Sequence, residues 1–382
     1  MTIRFRTFAA LLALAAAGCG PEGADTIVVG VAGPLERPNG RSMKLAAEMA
    51  VDEINRAGGI DGRMLSIAWG DDDADAGKAI EVARTLRANP EVVAVVGHVN
   101  SGASLEAAKV YNAEDNDSVA GEPVVQISPA SSSPALTQAG DWTFRVTPTD
   151  LEFSPALADW ALRGLGSRRA AVLYANDSYG QGVLETFAAS FRRGGGAVVA
   201  ADPYLPAMYQ TGGTLDPYLT RALARGIDAL VIGGQAAEGL KIIAAARRLG
   251  FTGPIMGSDG ITNVKDGGPA AEGVFVSSAF LPDRADPRTQ AFVAEYQRRY
   301  NELPDHRGAM TYDVFFLLKD AIERGGSARR AIRDYVARVG AEGGRPPFTG
   351  VSGTVRFDRN GDAVGKEVVV GVVRGGRLVS AR

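Results

Sequence analysis

The chain has 382 residues, enough for about two domains, and its 46% hydrophobic and 22% charged content is that of a globular protein. A net charge of −3, with no basic stripe interleaved with aromatics, removes the electrostatic reason to expect a nucleic-acid partner. A single cysteine excludes a disulfide framework. No phosphate loop, dinucleotide fingerprint or His/Cys metal spacing occurs, so no cofactor or metal is expected.

Residues 1–19, MTIRFRTFAALLALAAAGC, read as a secretory signal: a basic start at Arg4 and Arg6, an apolar stretch from Phe8 to Ala17, then small residues up to Cys19. Ala16-Ala17-Gly18-Cys19 resembles a bacterial lipoprotein lipobox. The resemblance implies cleavage before Cys19, lipid on its thiol, and a mature protein anchored to a membrane facing the periplasm or cell exterior. Residues 20–25 form a tether, and no other stretch approaches the ~18 apolar residues of a membrane span.

From Thr26 to Ala32 the β-rich run predicts a buried strand, and Ser42 to Arg56 keeps helical apolar spacing up to the Gly58-Gly59 stop. A strand over Met64 to Trp69 runs into Asp71, Asp72, Asp73 and Asp75, which read as the acidic start of a helix over 76–88 rather than as a metal loop. Val92 to Val96 is an almost uninterrupted β-branched run, the mark of a strand buried on both faces. It ends at Gly97 and passes through His98, Val99, Asn100, Ser101 and Gly102 into a helix start. Such a turn aims unpaired N–H groups and the positive end of a helix dipole at one point, a ready site for a carboxylate unless a serine merely caps the helix. His98 reads as a strand-end histidine bonded to neighbouring backbone.

Pro123 to Ser128 is a strand ending in a second polar turn, Pro129-Ala130-Ser131-Ser132-Ser133-Pro134. Parallel strands end along one edge, so the two serine turns are expected to converge. After Trp142 to Val146 the alternation restarts. A helix is expected over 153–164, strands at 170–174, 197–201, 229–232 and 254–256, and helices from after Gly182 to Arg193, Leu215 to Arg225 and Ala237 to Leu249. Polar turns follow three of these strands: Ala175 to Gly182, Gly233-Gly234-Gln235, and Gly257-Ser258-Asp259-Gly260. The tail holds a strand at 274–278 and helices over 287–300, 309–324 and 328–339. It closes with an expected hairpin of 353–357 with 366–373 around Asp358 to Asp362, where Asn360-Gly361 suits a tight turn better than a calcium loop. This is an α/β chain of two doubly wound parallel-sheet lobes.

In order, VGVAGPL, AVDEINRAGGIDGR, DDDAD, VVAVVGHVNSGAS, QISPASSSPALT, YANDSYGQG, IGGQAAEG, IMGSDGITN, AAEGVFVSS, TYDVF and the closing GTVRFDRNGD resemble the type I periplasmic binding proteins of branched-chain amino acid (Leu/Ile/Val) ABC transporters, in lipoprotein form. The resemblance runs from Ile27 to about Val379. It implies lobe 1 from 26–146 with 277–350, lobe 2 from 147–276 with 351–382, three crossovers between them, and a partner permease and ATPase. It also implies that Ser101 with its neighbour Asn100, and Ala130, Ser131 and Ser132, take a ligand carboxylate and part of its ammonium. Asp259 pairs the ammonium and Tyr179 closes over the ligand. Three positions depart from the family pattern: Asp259 replaces a longer acid, Gln235 stands where an aromatic is usual, and Arg307 falls near an apolar wall, where it would suit a second acidic group on the ligand. Leucine, isoleucine or valine is thus one candidate among amino acids, amides and small aromatic acids. A ligand sensor of the same fold is the alternative role. A hydrolase is remote, since the sequence before Ser101 lacks the glycine of a nucleophile elbow.

Overall fold

The computed structural model describes residues 26–114, 121–206 and 214–381. The signal segment and Cys19 lie outside them.

The first sheet is wholly parallel, in the order β2-β1-β3-β4-β5. Its strands are β1 (Ile27–Gly33), β2 (Leu65–Asp71), β3 (Val92–Gly97), β4 (Val125–Ser128) and β5 (Thr143–Arg145). Helices α1 (Pro38–Arg56), α2 (Ala76–Ala88) and α3 (Ser101–Tyr111) connect them. All six residues of β3 are buried, as its β-branched composition requires at the centre of a covered sheet. Helix α1 starts at Pro38, four residues before the spacing predicts, because proline suits the first helical position where its missing N–H costs nothing.

The second sheet has the order β14-β13-β10-β9-β8-β6-β7. Strands β6 (Arg169–Ala175), β7 (Ala197–Tyr204), β8 (Ala229–Gly233), β9 (Ile255–Gly257) and β10 (Phe275–Ser278) are parallel. Helix α4 (Asp150–Asp159) leads in, and α5 (Ser178–Arg193), α6 (Asp216–Ala224) and α7 (Ala236–Arg248) follow their strands. Helix α4 begins three residues before the expected start, because Thr149 and Glu152 close a capping box around its first turn. The remaining helices, α8 (Pro287–Tyr300), α9 (His306–Gly325) and α10 (Arg329–Val336), return to the first sheet, where Met310, Val314 and Phe315 of α9 join Val29, Val96 and Ile127 in one core. A separate core holds Leu173, Ile232, Ile243 and Val276.

The tail departs from expectation. Residues 353–357 and 366–373 do not form one hairpin: β11 (Phe348–Gly350) pairs with β12 (Gly353–Val355), while β13 (Val369–Arg374) pairs with β10 and with β14 (Arg377–Ser380). Val355 and Phe357 bury themselves in the first core, Phe357 edge-on to Phe144 at 5.3 Å. Residues 351–357 therefore pack with the first sheet rather than the second, and the third crossover lies beyond them. The segment Asp358 to Asp362 is a tight turn with Gly361 at φ +80°, its first N–H bonded to the Asp362 carbonyl.

Arg145, at the first crossover, clasps the third. Its buried guanidinium donates to Asp362 Oδ1 at 2.6 Å, to the carbonyls of Ser131 and Ser133 at 3.1 and 2.7 Å, and to Thr137 Oγ1 at 2.6 Å. Arg145→Ala is expected to lower unfolding free energy by about 3–5 kcal/mol, because it leaves the Asp362 carboxylate buried and unpaired. Urea denaturation followed by circular dichroism measures it.

Candidate functional site

Both parallel sheets end at the same gap. On the first side β3 runs out through Gly97 into the turn before α3, and β4 into the serine turn at 128–133. On the second side β6, β8 and β9 end before Tyr179, Gln235 and Asp259. The carboxyl ends of doubly wound strands are where such crevices form.

One small cavity is lined by Val99, Asn100, Ser101, Ala130, Tyr179, Gln235, Asp259, Gly260 and Arg307. Seven of the nine residues singled out from the sequence therefore share a wall; Ser131 and Ser132 do not. The Ser131 hydroxyl turns inward to Ser104 Oγ at 2.6 Å and to the Val99 carbonyl at 3.1 Å, so it ties the two turns together instead of facing a ligand. The Ser132 hydroxyl is buried without a partner and is not among the residues that line this cavity. The α3 N-terminus carries no side-chain cap, so its first N–H groups stay open. Ser101 Oγ instead accepts from Ser133 N at 3.3 Å, which binds one serine turn to the other.

His98 anchors the turn through its side chain as well as its backbone, which corrects the backbone-only expectation. Its ring meets Asp72 Oδ2 at 2.6 Å and the Tyr111 hydroxyl at 3.2 Å, with all three side chains buried. Its carbonyl accepts from Ser104 Oγ at 3.1 Å and Ser128 Oγ at 2.7 Å. Of the four aspartates in the second loop, Asp75 caps α2, Asp72 holds His98, and Asp73 pairs with Arg37 and Lys78.

On the opposite wall the Tyr179 hydroxyl donates to Asp259 Oδ1 at 3.1 Å and accepts from Gly260 N at 2.8 Å. Ser258 Oγ adds a bond to the same carboxylate at 3.2 Å. Burial raises the Asp259 carboxyl above its usual range against the opposing charge of Arg307. Arg307 lines the cavity, but its charge is already answered: Nη1 donates to Asp305 Oδ2 and to Thr262 Oγ1, each at 2.9 Å. A second acidic group on the ligand is thus not required by Arg307. Burial opposes ionisation of Asp305, yet Arg307 and His306 hold its carboxyl below the ordinary value.

Asp150, the first residue of α4, is the residue that the sequence reading missed. It is fully buried, neither carboxylate oxygen has a partner, and burial followed by the charge of Asp259 drives its carboxyl well above the ordinary range. Periodicity could not reveal it: an acid at a helix start normally reads as dipole complementation.

The inner cavity holds only about 10 Å³, room for roughly one water. Asn100 and Gln235 also border an outer chamber of about 550 Å³ with a polar wall that includes Asn39, Asp177 and Glu238. The lobes are closed on one another here: Arg307 of the first reaches Thr262 of the second, and Ser133 Oγ donates to the Ser178 carbonyl at 2.9 Å.

Two α/β lobes that aim strand ends, open helix N–H groups and a buried acid at one gap define a receptor for a small ligand. Residues 27–377 match the periplasmic binding protein family, and the chain belongs to it. The leucine-specific-binding protein of Salmonella typhimurium is 28% identical over 353 residues, 90% of each chain. An ABC transporter substrate-binding protein from Desulfitobacterium hafniense, solved in complex with Leu, is 32% identical with a TM-score of 0.75, covering 94% of this chain and 100% of that one. A leucine-binding protein from Thermotoga maritima gives a TM-score of 0.81 at 27% identity, covering 94% and 98%.

His306 is buried, its Nε2 3.7 Å from Asp259 Oδ2, and burial reinforced by Arg307 depresses its imidazole to about 3. An unfolded histidine titrates near 6.5, so the unfolded chain binds this proton first as pH falls. The stability it contributes is present above pH 6.5 and declines at up to ~1.4 kcal/mol per unit toward pH 3. His306→Asn is expected to flatten that acid limb in a melting-temperature profile against pH.

Proposed function

We propose that the protein is the exported receptor of an ABC importer, which captures an amino acid between its lobes and delivers it to a membrane permease and its ATPase. The observation that carries this reading is one cavity bordered by Ser101 with the uncapped start of α3 on one side and by buried Asp259 on the other. Open N–H groups and a hydroxyl suit a carboxylate, while a buried acid suits an ammonium. A zwitterion bound in this way brings both counter-charges with it, so neither end is left desolvated and unpaired. The Ala130 carbonyl shares the ammonium, and Tyr179 covers the ligand from the second lobe.

A cavity of about 10 Å³ cannot admit even alanine. Entry requires the lobes to part about the crossovers, or Tyr179 to release Asp259. The ligand favours closure because it touches both lobes, and only such differential contact shifts the balance between open and closed forms. The names of the relatives favour leucine. The polar wall of the outer chamber, with Asn39 and Gln235, widens the candidate set to amino acids with polar side chains. Cys19, preceded by Ala16-Ala17-Gly18 and an apolar stretch, carries the lipid that keeps the receptor at the membrane.

A thermal-shift screen of the twenty L-amino acids should give at least one large rise in melting temperature, since a ligand specific to the native state stabilises it by mass action. Asp259→Ala should then weaken that amino acid at least a hundredfold by calorimetry with the fold retained by circular dichroism. Unchanged affinity would remove Asp259 from the role of ammonium partner.

A further inference from the structure

Asp150 stands apart from the other buried acids among the described residues. Asp72 accepts from His98 and Ala74 N, Asp259 from Tyr179 and Ser258, Asp305 from Arg307 and Gly308 N, Asp313 from the backbone N–H groups of Val351 and Ser352, and Asp362 from Arg145 and Thr137. Neither Asp150 oxygen has a well-formed hydrogen bond, and the one donor beside them is the Ser132 hydroxyl. Its helix does not need it, because Thr149 and Glu152 already cap α4. Arg145, the cation whose charge acts on it, is committed to Asp362 and to the carbonyls of the serine turn.

Its position is interlobe. The Asp150 N–H donates to the Ser132 carbonyl at 2.8 Å, the unpartnered Ser132 hydroxyl lies beside its carboxylate, and the charges of Asp150 and Asp259 both act on Tyr179. A side chain at Gly182 of α5 would come within 2.7 Å of Asp150 Oδ2, so the glycine leaves the carboxylate its space. An ionised, unpaired carboxylate at such a site costs several kcal/mol, and only a proton or an incoming cation can remove that cost.

We propose that Asp150 is a second ligand-contacting acid, which together with Asp259 brackets the ammonium of the ligand, so that the receptor selects amine-bearing ligands and rejects carboxylates that lack an amine. The proposal rests on the amino-acid reading above and adds a selectivity determinant to it. Two acids facing one ammonium penalise a bare carboxylate twice: no cation answers them, and the ligand adds a third negative charge to the gap.

The test uses the purified full-length chain and two matched pairs of probes: L-leucine with 4-methylpentanoate, and L-phenylalanine with 3-phenylpropanoate, each pair differing only in the amine. Calorimetry should give the better-bound amino acid at least a hundredfold preference over its deaminated partner. Asp150→Asn should shrink that preference at least tenfold and raise the melting temperature of the protein without added ligand, since the amide removes a buried charge. A structural acid behaves differently: its loss lowers the melting temperature and weakens both members of a pair alike, and that result overturns the proposal. Asp150→Glu, which keeps the charge, should retain the preference even if it weakens binding. Strong amino-acid binding with a preference untouched in Asp150→Asn overturns the role of Asp150 and leaves the importer reading intact. Tight binding of a deaminated probe by the wild-type chain, or binding of none of the probes or amino acids, overturns both.

Discussion

The interlobe gap is governed by one constraint: charge taken out of water must be answered. Asp259 and Arg307 line it, Asp305 and Asp150 are buried with them, and these charges are not answered equally. Arg307 and Asp305 neutralise each other, Asp259 is partly satisfied by hydroxyls, and Asp150 has no well-formed hydrogen bond. In a medium of low polarity such imbalance is tolerable only where a proton or a ligand resolves it. The distribution of charge, more than the shape of the cavity, states what the cleft is for.

A carboxylate site made of backbone N–H groups works only if the backbone is held still. The rigidity comes from behind the cleft. The His98 carbonyl gathers hydroxyls from both serine turns, while its ring is pinned between Asp72 and Tyr111. Arg145 holds the far end of the second turn through two carbonyls and couples it to the third crossover through Asp362. The polypeptide that links the lobes is thus bonded to the turn that faces the ligand. A change in lobe angle and a change in the serine turn are mechanically connected.

Within the second lobe Tyr179 makes two bonds at once, to Asp259 and to the Gly260 N–H. If Asp259 pairs an ammonium as proposed, the ligand meets a carboxylate that already accepts from Tyr179.

Much of this was legible in the chain. The β-branched run of β3, the alternation of strand and helix, and polar turns at successive strand ends are local signals, and they suffice for the two-lobed α/β class and for the turn at Asn100 and Ser101; Ala130, Tyr179, Gln235, Asp259 and Arg307, which border the same cavity, were marked by the family resemblance. Local signals are blind to partners distant in sequence. Whether Arg307 offers a free charge depended on Asp305 and Thr262, whether Ser131 faces ligand depended on Ser104, and the strand at 353–355 was misassigned because its partner is 348–350 and its side chains seek the first core. Asp150 is the sharpest case. In sequence it is an unremarked acid at the start of a helix; only the folded chain, by withdrawing water and supplying no cation, makes it a charge that demands an answer.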